Sequence, residues 1–388
     1  MINLRNISIA SLLSSILWVP AAQAVEITDE ESETKVDDTP VMSPRTSGAG
    51  GAYANFASGV DAAFANPAGI GGLSDKAKPG VVRQLHFPYV GIGANQHTQN
   101  LNSDFSDQGG ERDSSIGRAI IDAHAGSRQF ARASFFPNIG FSRIMIGPIV
   151  DQQIAAVPLG DESDLVNTHY RSQAGFGAGM SFADPKGTLY LGVFTARLSV
   201  LEVKGDLVYS EMINSETRST AINDKTEKYS GDRSTMGLLW KISKKDAAPS
   251  LAIVVHDLSN SQLANKDPSK DNLKFREAWT IGFGVSPKIT NDLWFRAALQ
   301  SDDTTNRHQS VSEKVRFGME FLYGDTPDHA LFGLRAGYKL AGATFGADLN
   351  LGLINVQFSN YAEDVGANNT SVIERRSEVV GIIELAEF

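Results

Sequence analysis

The side chains suited to acid–base, nucleophilic or metal chemistry are thinly spread along the 388 residues. Seven histidines stand at positions 86, 97, 124, 169, 256, 308 and 329, and no His/Asp/Glu cluster has metal-ligand spacing. His256, Asp257 and Ser259 are close in sequence. On a strand, however, adjacent side chains leave on opposite faces, so these three do not make a Ser-His-Asp relay. There is no cysteine, which removes disulfides, thiolate metal sites and thiol nucleophiles. The expectation is a protein that is not an enzyme, with no cofactor and no metal. What remains is ionic. Arg296, Arg316, Arg335 and Lys339 share stretches with Glu320 and Asp348, and Arg316–Glu320 and Arg335–Asp348 read as ion pairs.

These residues sit in segments that alternate with period two, the mark of strands with unlike faces. Val315, Phe317, Met319, Phe321 and Tyr323 share one face, against Lys314, Arg316, Gly318 and Glu320. Phe332, Leu334, Ala336 and Tyr338 oppose Gly333, Arg335, Gly337 and Lys339. Trp279, Ile281 and Phe283 oppose Thr280, Gly282 and Gly284; Phe176, Ala178 and Met180 oppose Gly175, Gly177 and Gly179. Candidate strands lie near 85–97, 134–145, 147–157, 167–183, 188–205, 230–243, 249–257, 275–286, 292–301, 313–323, 330–340, 343–351, 354–361 and 372–388. That is about fourteen, an even number, with short turns on one side and longer polar loops on the other. The stretch from about Asn100 to Arg132 reads as polar and partly helical, an excursion over one mouth. The fold class expected is all-β: a transmembrane antiparallel β-barrel of about 14 strands.

Net charge is −10 and the isoelectric point about 5.2, which argues against nucleic acid as a partner. Mean hydropathy is −0.17, as expected when only one strand face is apolar. Residues 1–24 read as a signal peptide: Arg5, an apolar run from Ile7 to Val19, then Ala22-Gln23-Ala24. Residues 25–44 read as an acidic disordered leader, with Asp29, Glu30, Glu31, Glu33, Asp37 and Asp38. Residues 45–80 are glycine-rich, and 81–388 would form the barrel. The terminal Phe388 suits an assembly signal read by the barrel assembly machinery. Glu384 breaks its alternation, and a bulge in the last strand would reconcile the phases.

The run TSGAGGAYANFASGVDAAFANPAGIGG, Thr46 to Gly72, resembles the N-terminal plug of the FadL-like outer-membrane transport proteins and the related PorV-type barrels. The positions that carry it are Gly48, Gly50, Tyr53, Asp61, Asn66, Pro67, Ala68 and Gly69. LRAGYK (334–339) and ATFGADLNLG (343–352) are similar to the last strands of the same superfamily. The resemblance implies a fourteen-stranded barrel in outer-membrane lipid, with the glycine-rich segment as a plug (hatch) in its lumen. It also implies passage of a hydrophobic, fatty-acid-like small molecule. Arg296, Arg316, Arg335 and Lys339 are then the lumen candidates for a ligand carboxylate; lumen-filling ion pairs are the alternative for the same residues. A PorV-like role, with a secretion-system partner instead of a nutrient, stays open.

Overall fold

The computed structural model describes residues 36–74, 82–98, 126–141, 143–159, 165–208, 210–211, 215–243, 248–306, 311–324, 327, 330–339, 342–365 and 372–386. The expected signal peptide, the leader up to residue 35, the helical spacing within 100–125 and Phe388 lie outside the described residues.

The strands are β1 (Val82–Asn95), β2 (Gln129–Phe135), β3 (Asn138–Phe141), β4 (Ile144–Pro158), β5 (Leu165–Ala183), β6 (Leu189–Val208), β7 (Thr226–Lys241), β8 (Ser250–His256), β9 (Gln262–Asn265), β10 (Leu273–Lys274), β11 (Ala278–Val285), β12 (Leu293–Ser301), β13 (Val315–Tyr323), β14 (Phe332–Lys339), β15 (Gly342–Asn350), β16 (Ile354–Asp364) and β17 (Ile373–Ala386). Each pairs antiparallel with its neighbour around the wall, and β17 closes on β1 from Gln84↔Ala386 to Asn95↔Arg376. Since β2 and β3 are two halves of one interrupted strand, and β9 and β10 form a hairpin above the wall, the barrel has 14 strands.

The alternation read from the sequence decides which way each face points. Phe176, Met180, Phe283, Phe321, Leu334 and Phe345 are exposed outward, where a closed barrel meets lipid. Arg296, Arg316, Glu320, Arg335 and Asp348 on the alternate positions are buried in the lumen. The wall is uneven in height. β12 to β15 have 8 or 9 residues, close to what a tilted strand needs to cross a bilayer. β5 and β6 have 19 and 20, so they rise well beyond it on the side of the long loops.

Three expectations shift. The stretch to Arg132 is not wholly non-strand, because Gln129–Phe135 pairs with both β1 and β4. The bulge sought in the last strand lies opposite it instead. The register of β17 with β16 is unbroken from Ile354↔Ile383 to Asp364↔Ile373, whereas β1 shifts between His86 and Tyr89. Val380 and Ile382 therefore face inward, Ile383 faces outward, and Glu384 meets His86 at 3.6 Å. Finally, residues 36–44, read as part of a disordered leader, are packed: Val36, Val41 and Met42 are buried and Asp37 is ion-paired.

Candidate functional site

Residues 36–74 run through the lumen and touch opposite walls. Helix α1 (Pro44–Gly48) packs on β14, β15, β16 and β17; the 3₁₀ segment Pro67–Ser74 packs on β4, β5, β6 and β7; α2 (Val60–Ala65) lies between them in sequence. Ser43 caps α1 by accepting from the Thr46 N–H at 3.2 Å, and Pro44 starts it where no N–H is needed.

Wall glycines and segment residues fit each other. A Cβ on Gly192 would lie 2.2 Å from the Pro67 carbonyl group, and one on Gly237 would lie 2.0 Å from Asn66 Oδ1. No side chain but hydrogen fits there. Asn66 Nδ2 donates to Ala54 O at 2.8 Å and Leu238 O at 3.4 Å, while its Oδ1 accepts from the Ala68 N–H at 3.1 Å. Thus Asn66 joins the segment to itself and to β7. Gly50, at φ +66°, sits where a Cβ would meet Tyr338 N at 2.7 Å. Gly48 O accepts from Thr344 Oγ1 at 2.9 Å, and a Cβ on Gly69 would strike Ala57 O. Tyr53 is buried edge-on to Phe56, with Ala68 also buried.

On the β12–β17 side the lumen is ionic. Arg45 of α1 meets Asp348 at 3.2 Å, Asp348 meets Arg335 at 2.5 Å, Arg335 bonds Glu320, and Glu320 meets Arg296 at 3.4 Å. Arg335–Asp348 is the pair read from the sequence. Arg316–Glu320 does not form, because four residues along one strand span about 13 Å. The register puts Glu320 opposite Arg296 on one side and Arg335 on the other. Arg316 instead bonds Asp302 through Nε at 3.1 Å, and Lys339 meets Glu363 at 2.5 Å. Arg296 also lies 5.2 Å from the centre of the Phe56 ring.

A cavity of about 420 Å³ opens above these groups, lined by Arg316 and Lys339 but not by Arg296 or Arg335. Arg316 Nη1 is buried without a hydrogen-bond partner. Asp37 and Asp38 enter the same cavity. Asp37 pairs with Arg132 at 3.1 Å and Arg376 at 3.0 Å, and Asp38 pairs with Arg171 at 2.8 Å. Sequence reading gave these aspartates no role, since their partners are 95 residues or more away along the chain. His256 lines the cavity as well, whereas Asp257 is taken by Arg233 in a two-pronged bond of 2.7 and 2.8 Å. Asp61 of α2 accepts from Ser43 Oγ. Burial pushes its carboxyl above the usual range, although Arg45 and the Ser43 hydroxyl pull the other way.

The β2–β7 side carries the apolar packing, beside ion pairs of its own such as Arg132–Asp151 and Arg171–Glu202. One packed cluster runs from Leu263 of β9 and Phe275 above the wall, through Val200, Leu198, Ala196 and Phe194 of β6, to Phe136, Met145 and Ile149. Phe64 of α2 stacks edge-on against Phe136 at 5.4 Å and Phe194 at 5.1 Å. Val41, Met42, Val60, Ala62, Ala63 and Ile70 complete the segment's share. This cluster reaches the place where the wall is interrupted and continues past it to Tyr89, Val380 and Ile382. Phe136 and Pro137 separate β2 from β3, and Gly147, Pro148 and Ile149 of β4 have no ladder partner on that side. On the other side the ladder skips Phe87, Pro88 and Tyr89, crossed by a bond from the Phe136 N–H to Tyr89 O at 3.2 Å. Two prolines in adjacent strands, at 88 and 137, were the available sequence signal, because proline cannot donate to a ladder.

No protein-family model matches the chain, and no curated protein does. Among solved structures it is similar to transporters of the FadL type. The Ralstonia pickettii toluene transporter TbuX is 12% identical over 90% of this chain and 100% of its own, with a TM-score of 0.47. The CymD monoaromatic hydrocarbon channel is 11% identical over 91% and 99%, with a TM-score of 0.49. A Pseudomonas aeruginosa FadL homologue is 12% identical over 94% and 99%, with a TM-score of 0.30. The barrel itself stands on the strand pairings above.

Proposed function

We propose that this barrel sits in the outer membrane and passes hydrophobic, fatty-acid-like small molecules across it, with residues 45–80 as the hatch. The observation that carries this reading is the unbroken apolar cluster from Leu263 and Phe275 down to the interrupted strand at Phe136. An apolar solute on that track stays out of water until it reaches a gap in the wall at membrane height. Phe64 and Met42 block the track, so passage requires the hatch to shift. Among the four cations proposed for a ligand carboxylate, Arg316 is favoured, because it lines the cavity with Nη1 free of protein partners.

Lipid extraction and mass spectrometry of the detergent-purified protein test the reading, together with fatty-acid uptake in a transporter-deficient strain. Co-extracted apolar ligand and restored uptake are expected. No bound ligand and no uptake, with secretion components co-purifying, would replace it by the protein-partner role.

A further inference from the structure

A second cavity, of about 30 Å³, lies towards the opposite mouth, lined by Arg45, Ser58, Asp61, His86, Asn355 and Glu384 among others. It has room for about two water molecules. Three polar atoms in its lining residues have no hydrogen-bond partner: Arg45 Nε, His86 Nδ1 and Asn355 Oδ1. His86 and Asn355 are 4% and 3% exposed. His86, Asn355 and Glu384 belong to the short-turn ends of β1, β16 and β17. The larger cavity is lined at its far end by Asp302, Asp303, Lys339 and Glu363, from the long-loop side.

Asp61 is the one residue that lines both cavities. We propose that Asp61 is the septum of a second, polar pathway through the barrel, whose permeant class is small monovalent cations. Its carboxylate, held by Ser43, divides the two cavities where they meet at α2. The charge preference follows from the larger cavity, whose lining carries seven carboxylates against three Lys and Arg side chains. Asp37, Asp38, Asp302, Asp303 and Glu363 are ion-paired, but their partners Arg171, Arg276 and Arg376 do not line the cavity. Cutting Asp61 back to Cβ frees roughly one water's volume between the cavities. The proposal does not depend on which cargo uses the apolar side.

Full-length protein in planar lipid bilayers bathed in potassium chloride tests it. Wild type and Asp61→Asn, which keeps the volume, are expected to stay closed. Asp61→Ala is expected to show steps at least tenfold above the wild-type baseline, with potassium preferred over chloride. Folding is checked by heat-modifiable gel migration. A folded Asp61→Ala as silent as wild type overturns the proposal, as does a wild type conducting as well as the variant. Should Asp61→Ala fail to fold, Asp61→Cys in this cysteine-free chain gives the second reading. Silver ion, a thiol-reactive monovalent cation small enough for the second cavity, is expected to react with the folded protein from either side of the membrane in nitrate buffer. A folded Asp61→Cys that stays unmodified also overturns it.

Discussion

The two sides of the lumen hold α1 and α2 by opposite means. Towards β12–β17, α1 is fixed by the chain Arg45–Asp348–Arg335–Glu320–Arg296 and by a hydrogen bond from Thr344. Towards β2–β7, α2 rests on side-chain packing, Phe64 on Phe136 and Phe194 with Met42 and Ile70 in the same cluster, while Asp37 and Asp38 ahead of α1 pair with Arg132 and Arg171. Directional, mutually paired charges favour one arrangement and penalise every partial displacement. Apolar contacts are non-directional, so another apolar body can take the place of the one that leaves. The ionic side therefore reads as the anchor and the apolar side as the part that yields.

The largest expected effect breaks the anchor. Arg335→Ala leaves Glu320 with Arg296 alone and Asp348 with Arg45 alone, at a cost of about 3–5 kcal/mol. Urea titration followed by heat-modifiable migration reads it. Phe64→Ala opens a cavity between Phe136 and Phe194 and costs about 3 kcal/mol. Unlike the first variant, it should speed apolar-ligand uptake, because it removes the block and leaves the anchor intact. Equal loss of uptake in both would erase the distinction between the two sides.

Asn66→Ala is smaller. It removes the bonds to Ala54 O and Leu238 O at a buried site, about 1–3 kcal/mol, and loosens the N-terminal segment on the β7 wall. Increased proteolysis within residues 45–74 of the folded barrel is the expected readout.

The smallest effect lies outside the lumen, in the turn after β5. There Asp184 accepts from the Thr188 and Leu189 N–H groups, which lowers its pKa to about 2. A lowered carboxylate pKa stabilises the fold above the unfolded value, near 3.9, and that contribution fades as pH falls through about 2. Asp184→Asn should thus be less stable than wild type by a constant margin at neutral pH, with the margin closing between about pH 4 and 2. A margin unchanged at pH 2 would contradict the assignment.

The barrel was legible because its cause is local: alternation sets the two faces, and parity with loop length sets the topology. The glycine positions opposite the N-terminal segment were legible as one face of each strand. Their purpose was not, since Gly192 against Pro67 and Gly237 against Asn66 are contacts across the lumen. Ion pairing was half legible. Arg335–Asp348 follows from adjacent strands, whereas the partner of Arg316 depends on a loop aspartate whose reach no alternation reveals. The apolar track was missed for a related reason. Ala196, Leu198 and Val200 face inward on β6 while Arg197 and Ser199 face outward, the reverse of the usual barrel phase. That inversion makes sense only once Leu263 and Phe275 of the overlying loop are seen to cover them.

The most direct test of the division between anchor and track is photo-crosslinking with a diazirine-bearing fatty acid, followed by peptide mass mapping of the purified full chain. Adducts on Phe194, Ala196, Leu198, Val200 and Phe136 are predicted. Adducts confined to lipid-facing residues such as Phe176, Phe283 and Phe321 would contradict the account.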